Sequence, residues 1–159
     1  DAIGAAEAPH HFLSVTKCGH AAIVSTAGNP DCHIILRGGD NGTNYDAESV
    51  KKVCADIAKS GRRPHVMIDF SHANSQKQFK RQMDICEDVC RQIANGSELI
   101  SGVMIESHLV EGRQELGDGN LDHLVYGQSV TDACIGWEDS EKALFALADA
   151  VEQRRHKQL

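Results

Sequence analysis

The 159-residue sequence has no surplus of positive charge: 16 Lys and Arg stand against 23 Asp and Glu, a formal net charge of -7. That balance removes the electrostatic footprint expected of a protein that binds nucleic acid or an anionic membrane. No apolar run approaches the ~20 residues that a membrane-spanning helix needs. The first nine residues, DAIGAAEAP, lack an initiator Met, a basic stretch and an apolar core. They do not form a signal peptide and read as the interior of a longer protein. Internal repeats and low-complexity segments are missing. Zinc-type cysteine spacing is missing too: Cys18, Cys32, Cys54, Cys86, Cys90 and Cys134 are scattered. Cys54, Cys86 and Cys90 fall on helical apolar faces, where free thiols act as small buried hydrophobes, so the expected setting is a reducing cytoplasm and not a secreted disulfide scaffold. The length suits one modest domain over residues 1–159.

What the sequence does contain is alternation. Residues 1–8 read as the end of a helix stopped by Pro9, and two β-rich pieces, 11–16 and 21–26, read as a ribbon spanning 11–26. Strands are expected at 33–37, 66–70 and 102–106, each apolar and each running into a polar group: Arg37, His72 and Glu106. Helical spacing of apolar residues predicts helices over 46–59 and 75–93. A final helix is marked by Leu144, Leu147, Ala148 and Val151 and ends in the basic residues 154–157. Residues 108–131 read as a long polar connection without periodicity. Repeated strand–helix units with continuous apolar strands predict an α/β protein with parallel strands, and three such units amount to about half of a barrel that takes ~250 residues.

The segment 66–74, VMIDFSHAN, carries the strongest functional signal, because a buried strand that ends abruptly in Asp, Ser, His and Asn resembles the catalytic mouth of such a barrel. His72, Glu106 and Asp132 are metal-ligand types at or beyond strand ends, and imidazole with carboxylates suits a divalent first-row ion. A histidine after a strand serves as a structural group as readily, so spacing alone leaves both roles open. Arg37 before Gly38 and Gly39 suits an anion site, with a rim ion pair as the competing role. Asp69 alternates with Ile68 and Phe70 and is placed to orient other groups.

Five blocks in order, SVTK at 14–17, IILRGG at 34–39, MIDFSHAN at 67–74, VMIES at 103–107 with Glu111 and Gly112, and SVTDACIGW at 129–137, closely resemble the type I 3-deoxy-arabino-heptulosonate 7-phosphate synthases. The resemblance implies the C-terminal part of a (β/α)8 TIM barrel, the last three barrel strands with their helices, plus an inserted β-ribbon. It implies condensation of phosphoenolpyruvate with erythrose 4-phosphate, the first step of the shikimate pathway. Carried over by motif, His72, Glu106 and Asp132 match metal ligands for one divalent ion of the Mn, Fe, Co or Zn type, and the family's fourth ligand, a cysteine of the first barrel strand, is expected upstream. His72 and Asp132 would be catalytic, Arg37 would bind phosphoenolpyruvate, and Asp132 would also lie beside the sugar aldehyde. Phe12, Ser14 and Val24 match positions that bind an aromatic amino acid effector. The N-terminal half of the barrel and further copies in a homo-oligomer are the implied partners. Two alternatives stand beside this: a related phosphoenolpyruvate-condensing aldolase of the 3-deoxy-octulosonate 8-phosphate type, which the block at 129–137 disfavours, and a catalytically incomplete fragment that acts as an assembly module through exposed strand edges.

Overall fold

The computed structural model describes residues 2–117 and 121–157, so the part of the expected polar connection at 118–120 lies outside the described residues. The chain forms two compact units, Asp1–Ile34 and Ile35–Leu159. In the first, a short helix α1 (Ala2–Glu7) precedes an antiparallel ribbon of β1 (His10–Val15) and β2 (Ala21–Thr26). Its tip closes through Thr16 and His20, whose backbone groups hydrogen-bond at 2.9 Å. The ribbon register pairs Phe12 with Val24 and Leu13 with Ile23. The ribbon predicted over 11–26 is therefore present and begins one residue earlier.

The remaining elements are β3 (Ile34–Leu36), α2 (Ala47–Lys59), β4 (Val66–Asp69), α3 (Arg81–Ala94), β5 (Ile100–Met104), β6 (Val110–Arg113), β7 (Gln128–Ser129) and α4 (Trp137–Lys157). The main sheet has the order β3-β4-β5, and β4 and β5 are parallel. The central strand is largely enclosed, which explains why its run is apolar apart from Asp69: Val66, Ile68 and, just beyond the strand, Phe70 are fully buried, and Asp69 is 2 % exposed. Val50, Cys54 and Ile57 of α2 and Ile85, Cys86, Val89 and Ile93 of α3 are all buried at helical spacing, and α3 packs on α4, where Cys86 meets the Ala143 carbonyl. Cys54 and Cys86 are free, buried thiols, as their positions on apolar faces predict, whereas Cys90, expected to be buried with them, is a half-buried free thiol.

Three expectations change. The helix predicted over 75–93 begins only at Arg81, because Gln76 and Lys77 take left-handed φ angles of 54° and 59° that no helix accommodates. The third strand ends at Met104, two residues before Glu106, so the carboxylate stands on the loop. The polar connection contains β6 and β7, two short parallel strands, too brief to leave a periodic signature. Among the described residues no helix is long and apolar enough to cross a membrane.

Helix α2 shows how local chemistry fixes an element. Asp46 caps it, accepting from the backbone of Glu48 at 3.1 Å and Ser49 at 2.9 Å and from the Ser49 hydroxyl at 2.6 Å. The Ser49 hydroxyl bond holds the Asp46 carboxyl below its ordinary value of 3.8. A carboxylate so lowered contributes stability above the unfolded value and loses it as pH falls through the folded one. Asp46→Ala should cost about 1 kcal/mol at pH 7, and the difference from the unaltered chain should vanish in acid, which urea unfolding at the two extremes would check.

Candidate active site

The ends of β3, β4 and β5 and the segment after β7 deliver side chains to one depression of about 230 Å³, which Arg37, His72, Lys77, Phe79, Glu106 and Asp132 line. A larger open groove of about 680 Å³ lies between the start of α2 and the end of α3, and it gathers mixed charges without any of the predicted site residues. The chemistry converges at the smaller cavity.

Arg37 follows the buried Leu36 at the end of β3. Its carbonyl accepts from the backbone of Ala73 and Asn74, both at 3.1 Å. Gly38 is obligatory here: it has a φ of 73°, and a Cβ at this position would stand 2.8 Å from the Asn74 nitrogen. Asn74 itself is buried and joins the two strand ends. Its amide donates to the carbonyls of Leu36 at 3.0 Å and Asp69 at 2.8 Å, and its oxygen accepts from Asn44 at 2.9 Å.

His72 is oriented from behind. Asp69, 2 % exposed, places Oδ2 at 2.7 Å from His72 Nδ1, and its Oδ1 accepts from the Ser71 backbone at 2.8 Å and hydroxyl at 2.6 Å. An acidic acceptor at Nδ1 holds the ring proton there and leaves the lone pair on Nε2. That nitrogen faces Glu106, with Oε1 at 3.9 Å. The orienting role expected of Asp69 is thus visible in the geometry.

Glu106 is held through its backbone by the buried Gln82 of α3, whose amide donates to the Glu106 carbonyl at 3.0 Å and accepts from its nitrogen at 2.9 Å. Burial pushes the Glu106 carboxyl above its ordinary range, and the Asp132 and Asp69 carboxylates push the same way against the pull of His72 and a Ser71 hydrogen bond. Asp132 lies on the turn after β7, exposed, and lines the same cavity. Among the described residues no three His, Cys, Asp or Glu side chains are gathered closely enough to hold a metal ion. The donor types nonetheless fit one: an imidazole with its distal nitrogen free and two carboxylates whose mutual repulsion a dication would relieve.

The four residues expected to hold substrate or metal, Arg37, His72, Glu106 and Asp132, therefore share one cavity, which Phe12, Ser14 and Val24 do not line. Sequence reasoning passed over Lys77, Phe79 and Gln82. Phe79 reads as a helix-face residue but precedes α3 and lines the cavity. For Gln82 a signal existed: positions 79, 82, 86, 89 and 93 form one helical stripe, and a lone amide on it marks a buried polar group with a partner to find.

The chain matches the DAHP synthetase I family over residues 1–144. It belongs to that family. Phospho-2-dehydro-3-deoxyheptonate aldolase of Haemophilus influenzae is 74% identical over 155 residues, which are 98% of this chain and 42% of that protein. The Phe-sensitive enzyme of that name from Escherichia coli K12 is 63% identical over 98% of this chain and 43% of its own length, and the Trp-sensitive one from E. coli O6:H1 is 49% identical over 97% and 43%. The structure of the aldolase from Francisella tularensis SCHU S4 superposes with a TM-score of 0.88 at 48% identity, covering 97% of this chain and 44% of that one. This DAHP synthetase I segment thus spans less than half the length of the relatives it matches.

Proposed function

We propose that this chain is the C-terminal portion of a TIM-barrel synthase that condenses phosphoenolpyruvate with erythrose 4-phosphate, releasing phosphate and 3-deoxy-arabino-heptulosonate 7-phosphate. The observation that carries the reading is the convergence of Arg37, His72, Glu106 and Asp132 on one cavity at the strand ends. C3 of phosphoenolpyruvate bonds to the sugar aldehyde carbon, water adds at C2, and the phosphate leaves. Arg37 supplies paired N–H donors to one anionic group of phosphoenolpyruvate and fixes its direction of attack. His72 Nε2, Glu106 and Asp132 would hold a divalent ion, which when bound polarises the aldehyde oxygen as a Lewis acid. Asp69 keeps the His72 proton on Nδ1, so that Nε2 stays available to the site.

Trp137, Leu144 and Phe145 of α4 are 61%, 63% and 66% exposed, an apolar face suited to cover by neighbouring barrel elements. The N-terminal half of the barrel is the partner this reading requires. On the ribbon, Phe12 and Ser14 alternate along β1 and Val24 lies opposite Phe12, so all three share one face. That face is the candidate site for an aromatic amino acid effector, in keeping with Phe- and Trp-sensitive relatives. The opposite face exposes Leu13, Val15 and Ile23, a surface suited to contact with another copy.

The test is phosphoenolpyruvate consumption by this chain assembled with the N-terminal half. Turnover should require both erythrose 4-phosphate and a divalent metal, and chelation should stop it. Consumption independent of the sugar phosphate would sink the reading, and a preference for arabinose 5-phosphate would move the protein to the octulosonate reaction.

A further inference from the structure

Besides Arg37, the cavity holds one other permanent cation, Lys77. Its position costs the backbone something: His72, Gln76 and Lys77 have φ angles of 51°, 54° and 59°, in the left-handed region that side-chain-bearing residues avoid. The loop is held in this form by the Lys77 nitrogen, which donates to the His72 carbonyl at 3.0 Å, and by the Ser75 hydroxyl, which donates to the same carbonyl at 3.2 Å. Lys77 is thereby tethered to the residue that faces Glu106. Its charged neighbours are occupied. Lys80 pairs with Glu111 and with Asp139, the latter at 3.2 Å, and Arg81 donates to Gln76. The Lys77 ammonium has no hydrogen bond or ion pair among the described residues, although Glu106 and Asp132 line the same cavity.

We propose that Lys77 is a substrate-binding residue that receives a phosphate group at the cavity mouth, as the second cation beside Arg37. The proposal rests on the reaction proposed above and names a further group in it. Both substrates of that reaction carry phosphate, and they enter a cavity that already holds two carboxylates. Bringing such anions together requires compensating cations. Arg37 offers a planar fork suited to one fixed anionic group. Lys77 offers a point charge on a long flexible stem, suited to a phosphate that arrives and departs at the rim.

Three variants of the assembled synthase separate charge from backbone conformation. Lys77→Met should raise KM for at least one phosphorylated substrate by roughly ten- to a hundredfold while changing kcat little, and should weaken inorganic phosphate as an inhibitor. Lys77→Arg should restore most of the affinity. Glycine adopts the left-handed backbone freely, so Lys77→Gly should preserve the loop and yet bind phosphate as weakly as Lys77→Met. Unchanged KM values for both substrates in Lys77→Met, or normal affinity in Lys77→Gly, would overturn the assignment while leaving the reaction standing. Failure of the reaction itself would show in the unaltered protein. In that case calorimetric titration with inorganic phosphate still decides, since equal affinities for the unaltered and Lys77→Met proteins would refute the role and a tenfold loss would support it.

Discussion

On the proposed function, replacing His72 by alanine is expected to lower the turnover proposed for the assembled synthase with its divalent ion at least about a thousandfold, equivalent to ~4 kcal/mol of lost transition-state stabilisation. The fold should survive, because the His72 side chain is 36% exposed and is not part of the apolar core. Asp69 would be left with the Ser71 backbone and hydroxyl as its hydrogen-bond partners, at 2.8 Å and 2.6 Å. The stability loss should therefore be modest, about 1–3 kcal/mol for a buried group deprived of one partner. Asp69→Asn gives a finer test. An amide in that place can donate to Nδ1, which drives the ring proton to Nε2 and blocks the face turned toward Glu106. Loss of metal affinity by ten- to a hundredfold is the expected scale for such a change behind a ligand. Metal content and initial rates measured together check both variants. Normal turnover with normal metal content in His72→Ala would remove the residue from the site.

The parts of this site that were legible in the sequence share a physical reason. Residues 66–70 are apolar apart from Asp69 because β4 is the buried central strand, and the sudden change to Ser, His and Asn then marks the point where the chain leaves the sheet. Asp69 interrupts that run, and a charged group among buried neighbours must have a partner; here it is the His72 ring at 2.7 Å. The start of α3 was not legible, because Gln76 and Lys77 are ordinary helix formers, yet their backbone is left-handed in a turn where the Gln76 nitrogen donates to the Ala73 carbonyl and the Lys77 nitrogen to the His72 carbonyl. Strands β6 and β7 escaped for a different reason: at four and two residues, neither is long enough to show a period. Helix α4 begins at Trp137, earlier than the spacing of Leu144, Leu147, Ala148 and Val151 marks, and its buried residues are Ala143 and Ala150 instead of those four.

Phe70→Ala should produce the largest loss of stability of any single change proposed, about 3–5 kcal/mol. Its ring is fully buried and is the largest of the wholly enclosed side chains. Removing it leaves a void in the core that close-packed surroundings refill only in part. Against the 5–15 kcal/mol typical of whole domains, the loss brings the protein close to unfolding at ordinary temperature. The effect reaches the site as well. The Phe70 nitrogen donates to the Met104 carbonyl at 2.9 Å, which ties the end of β4 to the end of β5. His72 and Glu106 stand just beyond those two ends, and their 3.9 Å approach depends on that alignment. Phe70→Leu retains most of the volume and should cost only a fraction as much. Urea unfolding of the two variants, read beside their metal affinities, separates packing from chemistry. If Phe70→Ala were to unfold at the same midpoint as the unaltered protein, the enclosed position of β4 would be wrong, and with it the scaffold that aligns the candidate site.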